Sequence, residues 1–147
     1  MCIGDNASCL WKTVADPKAE LFDIVIVGAG GSGLAAAVAA ADAGASVILL
    51  EKCSTIGGTT ALSVGSISAA GTRLQKSMGI TDDVASFRAD MEGFWGELAP
   101  RAFKPLQDLL ASEAATTVDW LEELGVIFAG PFPEPPHRVN RMHNAIP

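Results

Sequence analysis

Basic residues are scarce. Ten Lys and Arg face seventeen Asp and Glu in the 147-residue chain, leaving a formal charge of −7. Nucleic acids and anionic membrane surfaces attract clustered Lys and Arg, so neither is expected as a partner. A few cations would still serve a small anionic substrate. Cysteine is sparse too, at Cys2, Cys9 and Cys53. The number is odd and the spacings fit no zinc pattern, so no metal is expected, and free thiols in a reducing, cytoplasmic compartment are the plain reading. The opening residues, MCIGDNASCLWKTVADPKAE, contain no basic start followed by an apolar run. No secretory leader is expected there, and residues 1–21 read as an extension leading into the first strand, with Trp11 packed somewhere. Also missing is an unbroken apolar run. DIVIVGAGGSGLAAAVAAADAGASVILLEK, starting at Asp23, is nearly uncharged, but Gly28, Gly30, Gly31, Gly33 and Gly44 divide it. Each piece is too short to cross a bilayer, so no membrane span is expected. Internal repeats and low-complexity tracts are absent as well.

What the chain does have is a run of buried-type elements. Residues 22–27 are β-branched and apolar without alternation, the pattern of a strand covered on both faces. GAGGSG follows, then an alanine-rich helix over residues 34–43, stopped by Gly44 as a helix C-terminus would be. Residues 46–50 form a second buried strand, ended by Glu51 and Lys52. Strand, glycine turn, helix and strand make a βαβ unit. Beyond it, CSTIGGTTALSVGSISAAGT reads as loop and short extended pieces. Thr81, Asp82 or Asp83 supplies an N-cap for the next helix. Val84, Phe87, Met91 and Phe94 share one face of that helix. After a break at APRAFKP, Leu106, Leu109, Leu110, Thr117, Leu121 and Leu124 mark another helix closed by Gly125. VIFAG is a short strand, and the four prolines of PFPEPPHR demand irregular backbone.

The glycine turn carries the chemistry. In Gly28-x-Gly30-x-x-Gly33, Gly28 permits a tight turn out of the strand. Gly30 lets a pyrophosphate approach the backbone, and Gly33 lets helix and strand pack closely. The helix that starts there directs N–H groups and its positive dipole end at phosphate. Ala37 and Ala41 continue the small face toward the sheet. Glu51 ends the second strand, placed to accept hydrogen bonds from a ribose 2′-OH. A 2′-phosphate would meet its negative charge, which disfavours NADP. The pattern implies an adenine dinucleotide and leaves NAD and FAD open, because both contain ADP.

VGAGGSGLAAA, VILLEK, IGGTTALSVGSISAA, VDWLEELGV and NRMH together resemble the FAD-binding flavoprotein family of fumarate reductases, succinate dehydrogenases and 3-ketosteroid dehydrogenases. The resemblance runs from Asp23 to the end of the chain. It implies an α/β fold: a Rossmann-like FAD-binding βαβ unit followed by helices, in an incomplete doubly wound sheet. Residues 22–130 would be the N-terminal part of the FAD-binding domain, and residues 131–147 the start of a connection into a substrate-capping domain. By the same resemblance Gly28, Gly30 and Gly33 hold the pyrophosphate, with Ala29 and Gly31 lining it. Glu51 binds the adenosine ribose, with Lys52 beside it. Gly57, Gly58, Thr59 and Thr60 run along the pyrophosphate, ribityl chain and flavin. Ser63, Gly65 and Ser66 approach the isoalloxazine ring, a flat surface that demands small side chains. Succinate dehydrogenases attach FAD through a histidine in this loop; Thr59 stands at that position, so FAD is expected to be non-covalent. The pair Gly65-Ser66 replaces the two glycines common in the family. Ketosteroid enzymes use catalytic tyrosines and this chain has none, which counts against a steroid substrate.

The expected activity is that of an FAD-dependent oxidoreductase moving hydride between flavin and a C–C bond next to a carbonyl or carboxylate of a small-molecule substrate. The alternatives are an NAD-dependent Rossmann dehydrogenase and a non-catalytic, truncated nucleotide-binding module. No catalytic residue is assigned, because the family's substrate-binding Arg and His residues lie further along longer chains. The 147 residues are therefore expected to be a fragment, inactive alone, whose missing C-terminal part or a complementing chain covers the apolar strands. His137, Arg138, Arg141 and His143 form the one cluster of cations. One reading sets Arg141 or His143 near substrate or flavin; the plainer one is a solvated surface loop. His137 and His143 are not at metal-ligand spacing.

Overall fold

The computed structural model describes residues 20–146; Cys2, Cys9, Trp11 and nearly all of the N-terminal extension lie outside the described residues. Backbone contacts divide the chain into two units, Met1–Gly58 and Thr59–Pro147.

In the first unit, β1 (Ile24–Val27), α1 (Gly31–Asp42) and β2 (Val47–Leu50) form a βαβ arrangement. The strands are parallel, with Ile24 opposite Val47 and Val27 opposite Leu50. Their β-branched and leucine side chains suit a pleated surface. The alanines of α1 lose no side-chain entropy on helix formation. The helix stops in a Schellman turn. Gly44 sits at φ +86°, its N–H donates to the Ala41 carbonyl (2.9 Å), and the Ala45 N–H donates to the Ala40 carbonyl (3.1 Å). Just beyond this turn, the Asp23 carboxylate accepts from the Ser46 N–H (2.8 Å) and hydroxyl (2.6 Å), tying the starts of β1 and β2 together. Those bonds from Ser46 hold the Asp23 carboxyl below its ordinary range. The apolar strands are not covered as their sequence leads one to expect: Val25 is 59% and Val27 83% exposed.

The second unit contains β3 (Ser66–Ser68), α2 (Arg73–Ser77), α3 (Val84–Phe94), α4 (Lys104–Glu123), β4 (Ile127–Phe132) and β5 (Met142–Ile146), with 3₁₀ turns at Thr60–Leu62 and Gly96–Arg101. Its sheet is antiparallel, in the order β3-β5-β4. A capping box starts α2: Thr72 accepts from the Gln75 N–H, and the Gln75 side chain accepts from the Thr72 N–H. Of the three candidate caps for α3, Asp83 does the capping, accepting from the Ser86 N–H at 2.6 Å. The core comprises Ala69, Ala70, Phe87, Met91, Ala111, Ala114, Val118 and Phe128.

The buried face of α4 differs from its leucine stripe. Gln107, Ala111, Ala114 and Val118 are buried, whereas Leu106, Leu109 and Leu110 are exposed. Both sets recur at helical spacing, but the small side chains face the core, where α3 and β3 pack against α4. Strand β5, helix α2 and the antiparallel sheet have no counterpart in the pattern read from sequence.

Candidate functional site

The glycine turn of the first unit is built from backbone geometry. Gly28 leaves β1 at φ +99°, a conformation that L side chains rarely adopt. Its N–H still donates to the Leu50 carbonyl at 2.7 Å, so the turn begins on the last rung of the β1–β2 pair. Gly33 is required for a different reason: a Cβ there would lie 1.9 Å from the Gly28 carbonyl oxygen. Gly30, the residue before α1, is neither. A Cβ at Gly30 would meet nothing within 4 Å, and its φ of −78° is open to any residue. The protein itself places no demand for glycine at this position, whereas a phosphate lying against the backbone would. The N-cap residue Gly30 has no side chain with which to cap α1.

Glu51 closes the turn from the end of β2. One carboxylate oxygen accepts from the Ala29 N–H (2.8 Å) and the other from the Cys53 N–H (2.9 Å). These two N–H groups, Ala29 first, hold the Glu51 carboxyl below its usual pKa. A carboxylate has about four lone-pair directions, so capacity remains for sugar hydroxyls. The following loop returns to the turn: the Gly57 N–H donates to the Ala29 carbonyl at 2.7 Å, and Gly30 and Gly57 form an isolated parallel bridge. A Cβ on Gly58 would lie 3.2 Å from the Gly30 Cα. Gly28, Ala29, Gly30, Gly31, Gly33, Glu51, Gly57 and Gly58 are thus brought together, while Lys52 is exposed beside them.

The remaining sequence candidates belong to the second unit. Thr59 and Thr60 open its first 3₁₀ turn. The Ser63 hydroxyl donates to the Thr60 carbonyl (2.8 Å) and accepts from the Gly65 N–H (3.2 Å). Gly65, at φ +72°, leads into β3 with its Cβ position 3.1 Å from the Ala145 Cβ. Ser66 hydrogen-bonds the Asn144 side chain across the β3–β5 pair at 2.6 Å.

The cation cluster corrects the surface-loop reading. Arg141 and His143 are 0% exposed. The Arg141 guanidinium donates to both oxygens of Asp82 (2.6 and 2.7 Å), to Asp90 and to the Ser86 hydroxyl. It also lies 5.0 Å from the Phe87 ring centroid. Burial opposes its charge, but Asp82 and Asp90 raise its pKa further. For Asp90, burial is outweighed by donors from Arg138 and Arg141, which hold the carboxyl at about 2. His143 Nδ1 faces the carbonyls of Arg141 (2.6 Å) and Ile67 (3.3 Å), so it is a donor; Nε2 then accepts from the Thr72 hydroxyl at 2.9 Å. The family's NR-x-H segment is a structural centre of this unit. Asp90 signals it in the sequence, as a charge on the same helical face as Phe87 and Met91.

A βαβ unit whose strand ends in a glycine turn at a helix N-terminus, with a carboxylate anchoring the turn, defines an α/β nucleotide-binding class. Within that class the chain belongs to the FAD binding domain family, which it matches over residues 23–145. It is 38% identical over 113 residues to a fumarate reductase (cytochrome) from Shewanella frigidimarina, covering 76% of this chain and 19% of that protein. It is 49% identical over 69 residues to a urocanate reductase from Eggerthella lenta, 47% of this chain and 11% of that one. Among solved structures, the open conformation of a flavocytochrome c3 fumarate reductase superposes with a TM-score of 0.74 at 36% identity, over 82% of this chain and 21% of that chain. A 3-ketosteroid-Δ4-(5α)-dehydrogenase from Rhodococcus jostii RHA1 gives 0.71 at 29% identity, over 90% of this chain and 32% of that chain. The chain therefore spans about a fifth of the length of the first of these relatives.

Proposed function

We propose that this chain is the N-terminal, FAD-binding portion of an oxidoreductase, with a Rossmann-like βαβ unit as its nucleotide cradle. The observation that carries the reading is the contrast at the turn: Gly33 is enforced by packing, but Gly30 opens onto empty space. A pyrophosphate lying over Gly30 accounts for the missing side chain. The N-terminal end of α1 favours its negative charge. Gly28, Ala29, Gly31 and Gly33 shape this cradle, and Gly57 and Gly58 continue along the pyrophosphate. Glu51 has two tasks: it holds the Ala29 and Cys53 N–H groups and accepts from the adenosine ribose, with Lys52 nearby. In the second unit, Thr59, Thr60, Ser63, Gly65 and Ser66 are assigned to the ribityl chain and flavin on the family resemblance. Thr59 offers no imidazole for a histidyl link, so FAD is held non-covalently.

The flavin, when bound, supplies two-electron redox chemistry. The chain's own residues bind the cofactor's phosphates and sugar and keep a small-residue surface for its ring. In the whole protein we assign hydride transfer between flavin and a C–C bond next to a carbonyl or carboxylate. The relatives support this by their names, which include reductases and a dehydrogenase. Residues 22–130 are the proposed domain portion and residues 131–147 the proposed lead into a capping domain. Cytoplasmic residence is proposed on the exposed free thiol of Cys53; no helix among the described residues is long and apolar enough to cross a membrane. Titrating the chain with FAD and with NAD, read by calorimetry and flavin fluorescence, tests the cofactor assignment. FAD should saturate one site, while tighter binding of NAD would refute it.

A further inference from the structure

Strand β5 is the middle strand of the second unit's sheet, between β3 and β4. Its side chains alternate between the two faces. His143 is buried, and Ala145 packs against the core. Asn144 stands between them in the chain, so it belongs to the opposite face, where it is half-buried. Its register partners are Ser66 in β3 and Ala129 in β4. Paired residues of antiparallel strands share a face, so two small side chains flank the Asn144 amide.

One hydrogen bond fixes what the pair of polar side chains can offer. The Ser66 hydroxyl donates to Asn144 Oδ1 at 2.6 Å. A serine has a single proton to give, so toward any further partner Ser66 Oγ is an acceptor. The Asn144 amide nitrogen is a donor, and it makes no hydrogen bond among the described residues. Ser66 and Asn144 therefore present an acceptor beside a donor. The oxidised isoalloxazine ring is the chemical complement. It has a single N–H, at N3, with a carbonyl on either side. An acceptor set against the ring finds a proton only there, and a neighbouring donor then meets a carbonyl oxygen. The dimethylbenzene end of the ring offers neither.

We infer that Ser66 and Asn144 together bind the pyrimidine edge of the flavin. Ser66 Oγ accepts from N3–H, and Asn144 Nδ2 donates to an adjoining carbonyl. Asn144 is also a positioning residue, because its Oδ1 takes the Ser66 proton and so makes Ser66 an acceptor. Both roles presuppose that Ser66 lies against the flavin, as proposed above. A glycine, common in the family at the Ser66 position, has no hydroxyl to make this contact.

The test is calorimetric titration of the 147-residue chain with ADP, FAD and 3-methyl-FAD, in which a methyl group replaces the N3 proton. FAD should bind about three- to tenfold more tightly than 3-methyl-FAD, the range of one neutral hydrogen bond. Ser66→Ala, at an exposed position, should abolish that preference and leave ADP affinity and helix content unchanged. Asn144→Asp keeps an oxygen for the Ser66 proton but has no N–H. It should weaken both flavins while the preference for FAD survives, whereas Asn144→Leu should lose the preference as well. Equal affinity of the wild-type chain for FAD and 3-methyl-FAD overturns the assignment of the edge. So does a preference that survives Ser66→Ala or disappears in Asn144→Asp. FAD bound no more tightly than ADP overturns it too, since the ring then makes no favourable contact. A chain that takes up neither ADP nor FAD refutes the cofactor reading itself, and this pairing with it.

Discussion

At the scale of single residues, the glycine turn separates two kinds of requirement. Gly33 is needed by the protein, since its Cβ would strike the Gly28 carbonyl at 1.9 Å. Gly33→Ala should therefore lower stability by about 2 kcal/mol even without cofactor, measured by urea denaturation. Gly30→Ala should leave the unliganded midpoint unchanged and weaken FAD by at least about tenfold, because the methyl group occupies the phosphate position. Equal effects of the two substitutions on stability would contradict the assignment. Glu51→Gln keeps one acceptor for the turn but loses the charge. FAD affinity should fall roughly tenfold, as expected when a hydrogen bond to a charged group is weakened. NADP should gain relative to FAD in the same titration. The place of all three at the turn was legible in the sequence, since spacing and position in a βαβ unit are local properties. The anchoring of Glu51 by the Ala29 and Cys53 N–H groups was not, because it depends on backbone direction at the end of β2.

At the scale of elements, the second unit is organised around charge as well as apolar packing. Arg141 on the way into β5 joins Asp82, which precedes α3, to Asp90 within it. Arg141→Met leaves Asp82 buried without a cation and Asp90 with Arg138 alone, and should destabilise by about 3–5 kcal/mol. Arg73→Met removes an exposed pairing with Asp119 and Glu122 and should cost less than about 1 kcal/mol. Acid should unfold this unit in two stages. His137 has its pKa lowered from 6.5 by burial and by Arg141. The unfolded chain therefore takes up that proton first, and stability declines as pH drops below 6.5. Asp90 is held at about 2 against an ordinary 3.8. Its contribution is complete above 3.8 and disappears as pH falls through 2. Urea midpoints measured from pH 8 to pH 2 should show both declines, and Asp90→Asn should remove much of the second. The elements of the first unit and helices α3 and α4 follow from hydrophobic period and caps, and were legible. The burial of Arg141 and His143 was not, because a cluster of cations reads as solvated until its carboxylate partners, some fifty to sixty positions away, are seen beside it. The buried face of α4 was not legible either: two stripes at helical spacing coexist, and only packing selects between them.

At the scale of the whole molecule, the apolar strands and the length of the relatives point the same way. Val25 and Val27 lie open, and the stretch matched to the fumarate reductase covers only 19% of that relative. Open strands in such a chain invite association. Val25→Thr with Val27→Thr should reduce self-association in sedimentation velocity without loss of helix content, and unchanged association would argue against these strands as its source. The central claim is that the glycine turn of the first unit holds FAD without a covalent bond. Its most direct test is reconstitution of the 147-residue chain with FAD, gel filtration, then acid precipitation. The account predicts one flavin per chain after filtration, lost in Gly30→Ala and released to the supernatant by acid. No flavin on the filtered wild-type chain, or yellow flavin fixed in the acid pellet, would contradict it.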